Sequence, residues 1–537
     1  VIAITDDTMT IKFDRFDLAA YDTFLKCKRL PESRVEFDER DESYRIVAPA
    51  RFASMLGMQP TSSAATLPLA DFLMDDQAAI VPMALAAKRF ACWSGCGLGK
   101  TAIGLEVGRH VIHRTNRPGL IMTVNEVVNQ WIEEAKKFYG DNLPIIRLNS
   151  RDEMRNFCAR GSGLAVTNYE KMNYKSEGVE GQVVTEFQNL GFIALDEATR
   201  VNTPGGKQKW ALIKSAESIE YKLLLTATPA PNDLAEFMSQ AGFLNKFTAE
   251  HSITTYFTRD NKTHRWTVKP HARKALFEFM STWSIYVNDP RKFGWRLNVP
   301  EVPPPIIKVH KIDPTPEQTA IVQAMTRDER GQGTLMVEKE LNTIQRMQLS
   351  QVAKGFRYRK GRSRDDRVEL IPSDKPAFVA DLIRSEVKAR HQVLVWTIFD
   401  HESQVLMDQL GARYKADRLT GSTPADERLE MLERFRRGES KCLISLASML
   451  GFGMNMQHCT SMIFSGWSDS FVQYYQALRR AYRFGQTKRL RVHVPVIEDL
   501  EGDQLQNIFR KESEHNRAID EMEQNYIRAY KTIRGAA

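Results

Sequence analysis

The chain has 537 residues, and 75 Lys and Arg against 67 Asp and Glu give it a formal charge of +8 and a pI near 9.0. Its 42% hydrophobic and 26% charged content excludes a collagen, a continuous coiled coil and a largely disordered chain; at roughly 150 residues per domain, three to four domains are expected. No apolar run approaches the ~20 residues that a membrane span needs. The opening Val1–Thr10 has no basic segment ahead of an apolar one, so no signal peptide is expected. Six scattered cysteines with no Cys-x-x-Cys pair predict neither a zinc site nor a disulfide framework, and suit a reducing, cytoplasmic setting. The mild positive excess is compatible with a nucleic-acid partner.

In chain order, residues 1–65 read as a small α+β unit. It comprises a helix over Leu18–Lys28, strands over Arg34–Asp38 and Tyr44–Val47, a short helix over Phe52–Met58 and the linker Gln59–Ala65. Residues 66–244 alternate short apolar strands with amphipathic helical stretches. The strands are Phe90–Trp93, Leu120–Val124, Leu164–Thr167, Phe192–Leu195 and Leu223–Thr226. That alternation predicts α/β architecture, a parallel sheet with helices on both faces. Residues 245–374 form a mixed, partly helical insertion carrying the basic run Arg357–Arg367. Residues 375–497 alternate again, with strands at Val393–Trp396, Cys442–Ser445, Met462–Phe464 and Val492–Val494. In the last segment, 498–537, Leu505–Arg534 reads as one long polar helix.

The segment Phe90-Ala-Cys-Trp-Ser-Gly-Cys-Gly-Leu-Gly-Lys100-Thr101 carries a buried strand into a glycine-rich turn and then a helix. Backbone N–H groups of Gly95, Cys96, Gly97, Leu98 and Gly99, together with the helix start, can cradle phosphates. Lys100 can reach the β/γ-phosphates and the Thr101 hydroxyl can bind Mg²⁺. The strict phosphate-loop pattern fails at one place, because Ser94 stands where its first glycine belongs. The strand Phe192–Leu195 delivers Asp196 and Glu197 to its end; the pair suits Mg²⁺-ATP chemistry, Asp196 holding the metal and Glu197 polarising the attacking water. An acid-rich helix start explains the same pair more plainly. Arg480 and Arg483 are three apart, predicting one helical face from which two guanidinium groups could neutralise a γ-phosphate. A solvated basic helix is the alternative.

Taken in order, these motifs resemble the superfamily-two helicases, and within them the Swi/Snf-like double-stranded DNA translocases, over roughly Leu67–Glu523. Gly97–Thr101 matches that family's GLGKT; Trp131-xx-Glu134-xxx-Phe138 and Thr167–Glu170 look like its motifs Ia and Ib. Leu225–Pro229 is similar to motif III, Leu419–Arg428 to the GSTPAxER block, Gly451–Asn455 to motif V and Arg480–Gln486 to RAHRIGQ. The resemblance implies two RecA-like lobes, a DNA-dependent ATPase using ATP and Mg²⁺, and movement on double-stranded or branched DNA by a monomer. It further implies that Gln77 reads adenine, that Thr226, Thr228 and Gln486 couple the sites, and that Asn125, Thr167, Tyr169, Ser448 and Asn455 touch DNA. Motif II reads DEAT, so Thr199 replaces a histidine that can couple motif II to motif III. The N-terminal unit is similar to the small substrate-recognition domain of annealing and branch-migration helicases, which implies forks or junctions. The compact middle region looks bacterial or bacteriophage in type. An RNA helicase and a non-catalytic DNA-binding scaffold are the competing readings.

Overall fold

The computed structural model describes residues 2–4, 8–13, 18–28, 33–38, 43–49, 67–172, 187, 189–201, 212–230, 234–246, 255–259, 266–296, 302–326, 343–359, 368–447, 449, 456–483 and 486–535. Internal contacts divide the chain into two units, Val1–Asn298 with Ala518–Ala537, and Val299–Arg517.

The first unit begins with strands β1 (Ile2–Ile4) and β2 (Thr8–Phe13), helix α1 (Leu18–Lys28) and strands β3 (Arg34–Asp38) and β4 (Ser43–Pro49). They make an antiparallel sheet ordered β1-β2-β4-β3. Phe24 of α1 meets Phe13 edge-on at 6.1 Å, which seats the helix on the sheet. The helix expected at Phe52–Met58 and the linker after it lie outside the described residues.

Next come α2 (Asp75–Ala87), β5 (Arg89–Ser94), α3 (Lys100–Thr115), β6 (Gly119–Thr123), α4 (Val128–Tyr139), β7 (Ile145–Arg147), α5 (Arg151–Arg160) and β8 (Leu164–Asn168). They are followed by β9 (Phe192–Asp196), β10 (Tyr221–Thr226), α6 (Glu236–Phe243), the hairpin β11 (Phe257–Arg259) and β12 (Trp266–Val268), α7 (Arg273–Ser281) and β13 (Ser284–Val287). Seven strands form one parallel sheet, ordered β13-β5-β10-β9-β6-β8-β7. Strands β6, β8, β9 and β10 are buried at every position, as expected where helices cover both faces. Segment 67–73 is tied to this lobe through Glu106, which is fully buried. That carboxylate accepts from Ala70 N, Arg109, His110 Nε2 and Tyr139 OH. Burial alone would raise the Glu106 carboxyl, but the hydrogen bonds from His110, Arg109, Tyr139 and Ala70 outweigh it and hold the group well below the usual carboxylate range.

In the second unit, β14 (Ile306–Ile312) precedes α8 (Pro316–Thr326), α9 (Thr343–Ala353) and a hairpin of β15 (Phe356–Tyr358) and β16 (Val368–Leu370). Then follow α10 (Lys375–Lys388), β17 (Val393–Thr397), α11 (Asp400–Leu410), β18 (Ala416–Leu419), α12 (Ala425–Arg436), β19 (Cys442–Leu446), β20 (Ser461–Phe464), α13 (Phe471–Ala481) and β21 (Arg491–Ile497). Six strands form a second parallel sheet, ordered β14-β21-β20-β17-β19-β18. The architecture is therefore the expected one, two parallel-sheet lobes of the RecA kind with a small α+β unit ahead of them. The edge strands β7, β13, β14 and β18 are additions to the sequence reading. They are only three to seven residues long, and β14 is largely exposed, so neither length nor apolar continuity marks them.

Helix α14 (Glu498–Gly535) closes the chain. Its beginning is held by Glu501, buried between Lys354 and Lys375 with N–O distances of 2.6 and 2.5 Å. Its end belongs to the first unit. There Glu523, fully buried, accepts from the backbone N–H groups of Asn288 and Asp289, both at 2.8 Å, and from Lys292 Nζ at 2.6 Å. Tyr526 bonds Ser284 and meets the Trp93 ring edge-on. Replacing Glu523 by Leu is expected to cost about 3–5 kcal/mol, because two partly buried N–H groups and Lys292 lose their acceptor. Removing the exposed Arg291–Asp289 pair by Arg291→Ala should cost under about 1 kcal/mol. Urea unfolding of both variants checks the contrast.

Candidate nucleotide site and nucleic-acid face

Strand β10 lies between β5 and β9, and Leu225 pairs with Cys92 on one side and Asp196 on the other. The three chains therefore leave the sheet at one level of one edge. Each of them runs straight into a motif expected from the sequence: Ser94–Thr101 after β5, Glu197 after β9, and Ala227–Pro229 after β10.

The glycine-rich turn is built as the sequence required. Gly97 and Gly99 have φ of 87° and 72°, a left-handed backbone that glycine adopts without strain. A side chain at Gly99 would also strike Gln77, whose Nε2 lies 2.3 Å from the Cβ position. Gln77 is buried, donates to Leu98 O at 3.2 Å and accepts from Met74 N at 3.1 Å, so it sits directly against the turn. Lys100 folds back over the turn, with Nζ on Ser94 O at 2.9 Å and Gly95 O at 3.3 Å. Lys100 and Thr101 open α3, where N–H groups point out of the helix start. One short stretch thus supplies backbone donors, a cation and a hydroxyl, a set that fits a Mg²⁺-bound triphosphate.

Asp196 is buried at the end of β9. Its Oδ2 accepts from Thr123 Oγ1 at 3.0 Å and Trp131 Nε1 at 2.9 Å, and its Oδ1 accepts from Glu197 N at 3.0 Å. Glu197 has φ of 53°, an uncommon left-handed conformation for a side-chain-bearing residue. Such strain collects at working sites, and it does not suit the plain acid-rich helix start. Thr199 Oγ1 reaches Glu197 O at 3.4 Å. Beyond β10, Thr226 Oγ1 accepts from Thr228 N at 3.2 Å. The buried Thr228 hydroxyl has no hydrogen-bond partner among the described residues. Gln240, absent from the sequence reading, connects two of the three strand ends: its Oε1 accepts from Trp93 Nε1 at 2.8 Å and its Nε2 donates to Pro229 O at 2.7 Å.

In the second unit Arg480 lies on α13, but that helix ends at Ala481. The expected common helical face for Arg480 and Arg483 is therefore corrected: Arg483 comes after the helix, where Tyr482 has already left helical geometry. Arg479 is engaged by aromatic rings, 5.1 Å from Tyr475 and 4.8 Å from Tyr482. Arg480 O accepts from Met456 N at 2.9 Å. Gln486 is buried and donates to Cys459 O at 2.7 Å.

Of the residues expected on DNA, Asn125 is exposed and accepts from Asn168 Nδ2 at 2.7 Å. Tyr169 is partly exposed, and its hydroxyl donates to Asp196 O at 2.7 Å. Thr167 is placed otherwise. It is fully buried with its hydroxyl on Leu148 O, because β8 is an interior strand, so its side chain is not presented to a DNA backbone. Ser448 and Asn455 lie outside the described residues, as do 360–367 of the basic run. All six cysteines are free thiols, and only Cys96, in the phosphate turn, is not buried. Among the described residues no helix is long and apolar enough to cross a membrane.

The fold defines a two-lobe protein of the RecA kind. The SNF2-related domain matches residues 94–354 and the helicase conserved C-terminal domain matches residues 374–485, together more than two thirds of the chain. The chain is similar to the ISWI chromatin-remodeling complex ATPase CHR17 of Arabidopsis thaliana, 22% identical over 452 residues, covering 77% of this chain and 39% of that protein. It is also similar to the SWI/SNF-related matrix-associated actin-dependent regulator of chromatin subfamily A-like protein 1 of Drosophila melanogaster, 23% identical over 462 residues, covering 83% and 56%. A solved Sulfolobus solfataricus SWI2/SNF2 ATPase core in complex with dsDNA covers 82% of this chain and 92% of its own, at 19% identity and a TM-score of 0.38. The chain thus spans about two fifths of the first relative's length. It belongs to the Swi/Snf-like ATPases of helicase superfamily two.

Asp76, beside Gln77 at the start of α2, carries a buried Oδ2 with no hydrogen-bond partner among the described residues, and burial pushes its carboxyl up to about 6. The unfolded group ionises near ~3.9. The folded chain therefore holds this proton more tightly, and stability is lost as the pH rises through about 6. Asp76→Asn is expected to stabilise the protein by about 3 kcal/mol at neutral pH and to match the wild type near pH 4. Urea unfolding at both pH values checks it.

Proposed function

We propose that this chain is a DNA-dependent ATPase that turns hydrolysis into movement along double-stranded DNA. The observation that carries the reading is the alignment of three neighbouring strand ends, which sets Gly95–Thr101, Asp196–Glu197 and Thr226–Pro229 at one sheet edge. In this reading the turn and Lys100 bind the phosphates, while Thr101 and Asp196 hold Mg²⁺. The metal, when bound, neutralises charge on the β- and γ-oxygens. Glu197 orients the attacking water, Gln77 contacts the base, and Thr226, Thr228 and Gln486 serve coupling. Arg480 and Arg483 contribute positive charge toward the γ-phosphate. DNA is held chiefly through its phosphates, with little sequence preference.

The unit 1–65 is assigned to recognition of branched DNA. Phe37 and Tyr44 support this, paired at 4.9 Å and each about half exposed, as a surface on which unpaired bases can stack. The region 66–244 is then the body of the ATP-binding lobe and 375–497 the body of the second, the expected insertion 245–374 also lends each lobe an edge strand, β13 and β14, and 498–537 is the closing helix.

Phosphate release assays test the reading. Lys100→Ala and Glu197→Gln are each expected to abolish turnover while DNA binding persists, and normal turnover in either would remove the site. Arg480→Ala and Arg483→Ala should each cut the rate by roughly 10³–10⁵, as such arginines do elsewhere. Duplex DNA should stimulate hydrolysis, with the effect fading as salt rises; stimulation by RNA alone would overturn the substrate class. Comparing duplex, fork and four-way junction, with and without residues 1–65, tests the role of the N-terminal unit.

A further inference from the structure

Asp196 is held from more sides than its sequence neighbours explain. Trp131, fully buried near the start of α4, donates its indole N–H to Asp196 Oδ2 at 2.9 Å. Thr123, fully buried at the end of β6, donates its hydroxyl to the same oxygen at 3.0 Å. The indole also lies flush against α3, since a Cβ at Gly104 would stand 2.6 Å from its ring. Gly104 is one turn from Lys100 and Thr101, so a single side chain bridges the helix of the phosphate turn and the carboxylate of β9.

An ionised carboxylate offers about four acceptor positions, two on each oxygen. Two donors on Oδ2 use that oxygen fully, and Glu197 N takes one position on Oδ1. Among the described residues no other donor reaches it, so one position remains, on Oδ1. We infer that Trp131 and Thr123 are positioning residues that turn Asp196 so that Oδ1 alone faces the metal. This rests on the ATPase reading, and it assigns a role to two residues whose side chains touch neither nucleotide nor DNA in that reading.

The test uses the full chain and the variants Trp131→Phe, Thr123→Val and Thr123→Ser. Isothermal titration measures the affinity for ADP with Mg²⁺ and for ADP in EDTA. Trp131→Phe keeps an aromatic ring and Thr123→Val keeps the shape, so each removes one donor. Both are expected to weaken Mg²⁺-ADP binding roughly 10-fold, as loss of partners to metal-holding groups does. Metal-free ADP binding should be unchanged, and Thr123→Ser, which retains the hydroxyl, should bind as the wild type does. Equal Mg²⁺-ADP affinity in all variants would overturn the assignment, and so would a parallel loss with and without metal, which marks a structural role. A wild-type chain that does not bind Mg²⁺-ADP at all would instead bring down the ATPase reading beneath it.

Discussion

The parallel register of β5, β10 and β9 is the constraint on which the first lobe depends. Strands in such a sheet stand about 4.8 Å apart, so pairing Leu225 with both Cys92 and Asp196 brings three separate loops within reach of one bound molecule. Each strand end is tied to its neighbour beyond the ladder. Gln240 joins Trp93 to Pro229, and Thr123 and Trp131 join β6 and α4 to Asp196. A shift of one strand by a single residue would turn Asp196 to the other face of the sheet.

Buried carboxylates recur as fasteners. Glu106 secures segment 67–73, Glu501 secures the start of α14 and Glu523 its end. Each is fully or almost fully buried and each meets cations or several N–H and O–H donors. An ion removed from water is tolerated only under that condition. The arrangement trades raw stability for placement: a carboxylate with several directed donors defines where a helix lies more narrowly than apolar contact does. In Glu523 the acceptors serve Asn288 and Asp289, directly after β13, whose Val287 carbonyl accepts from Gly95 N. The far end of the chain thereby supports the phosphate turn.

Tyr169 occupies a position between two duties. It comes directly after β8 at the face proposed for DNA, yet its hydroxyl bonds the carbonyl of Asp196, one residue before the left-handed Glu197. Asn125 and Asn168 extend the same chain of contacts outward. With Thr199 where the family has histidine, the Tyr169–Asp196 bond is a direct connection from that face to the acidic pair.

Much of this was legible from sequence because the determining forces are local. Apolar runs such as Phe192–Leu195 announce interior strands, glycines at 97 and 99 announce a turn that only they adopt easily, and Asp196–Glu197 at a strand end announces a charged edge. Short edge strands were not legible, since Ser284–Val287 owes its pairing to β5 rather than to its own length. Nor was the burial of Thr167, whose polar side chain is satisfied by Leu148, nineteen residues away in sequence. Thus the sequence by itself determined the class of fold, the family and the residues proposed for the site. Only the tertiary structure decided which partners hold them. Trp131, Thr123, Gln240 and Glu523 act through hydrogen bonds to distant residues, and such bonds leave no periodicity or spacing in the chain.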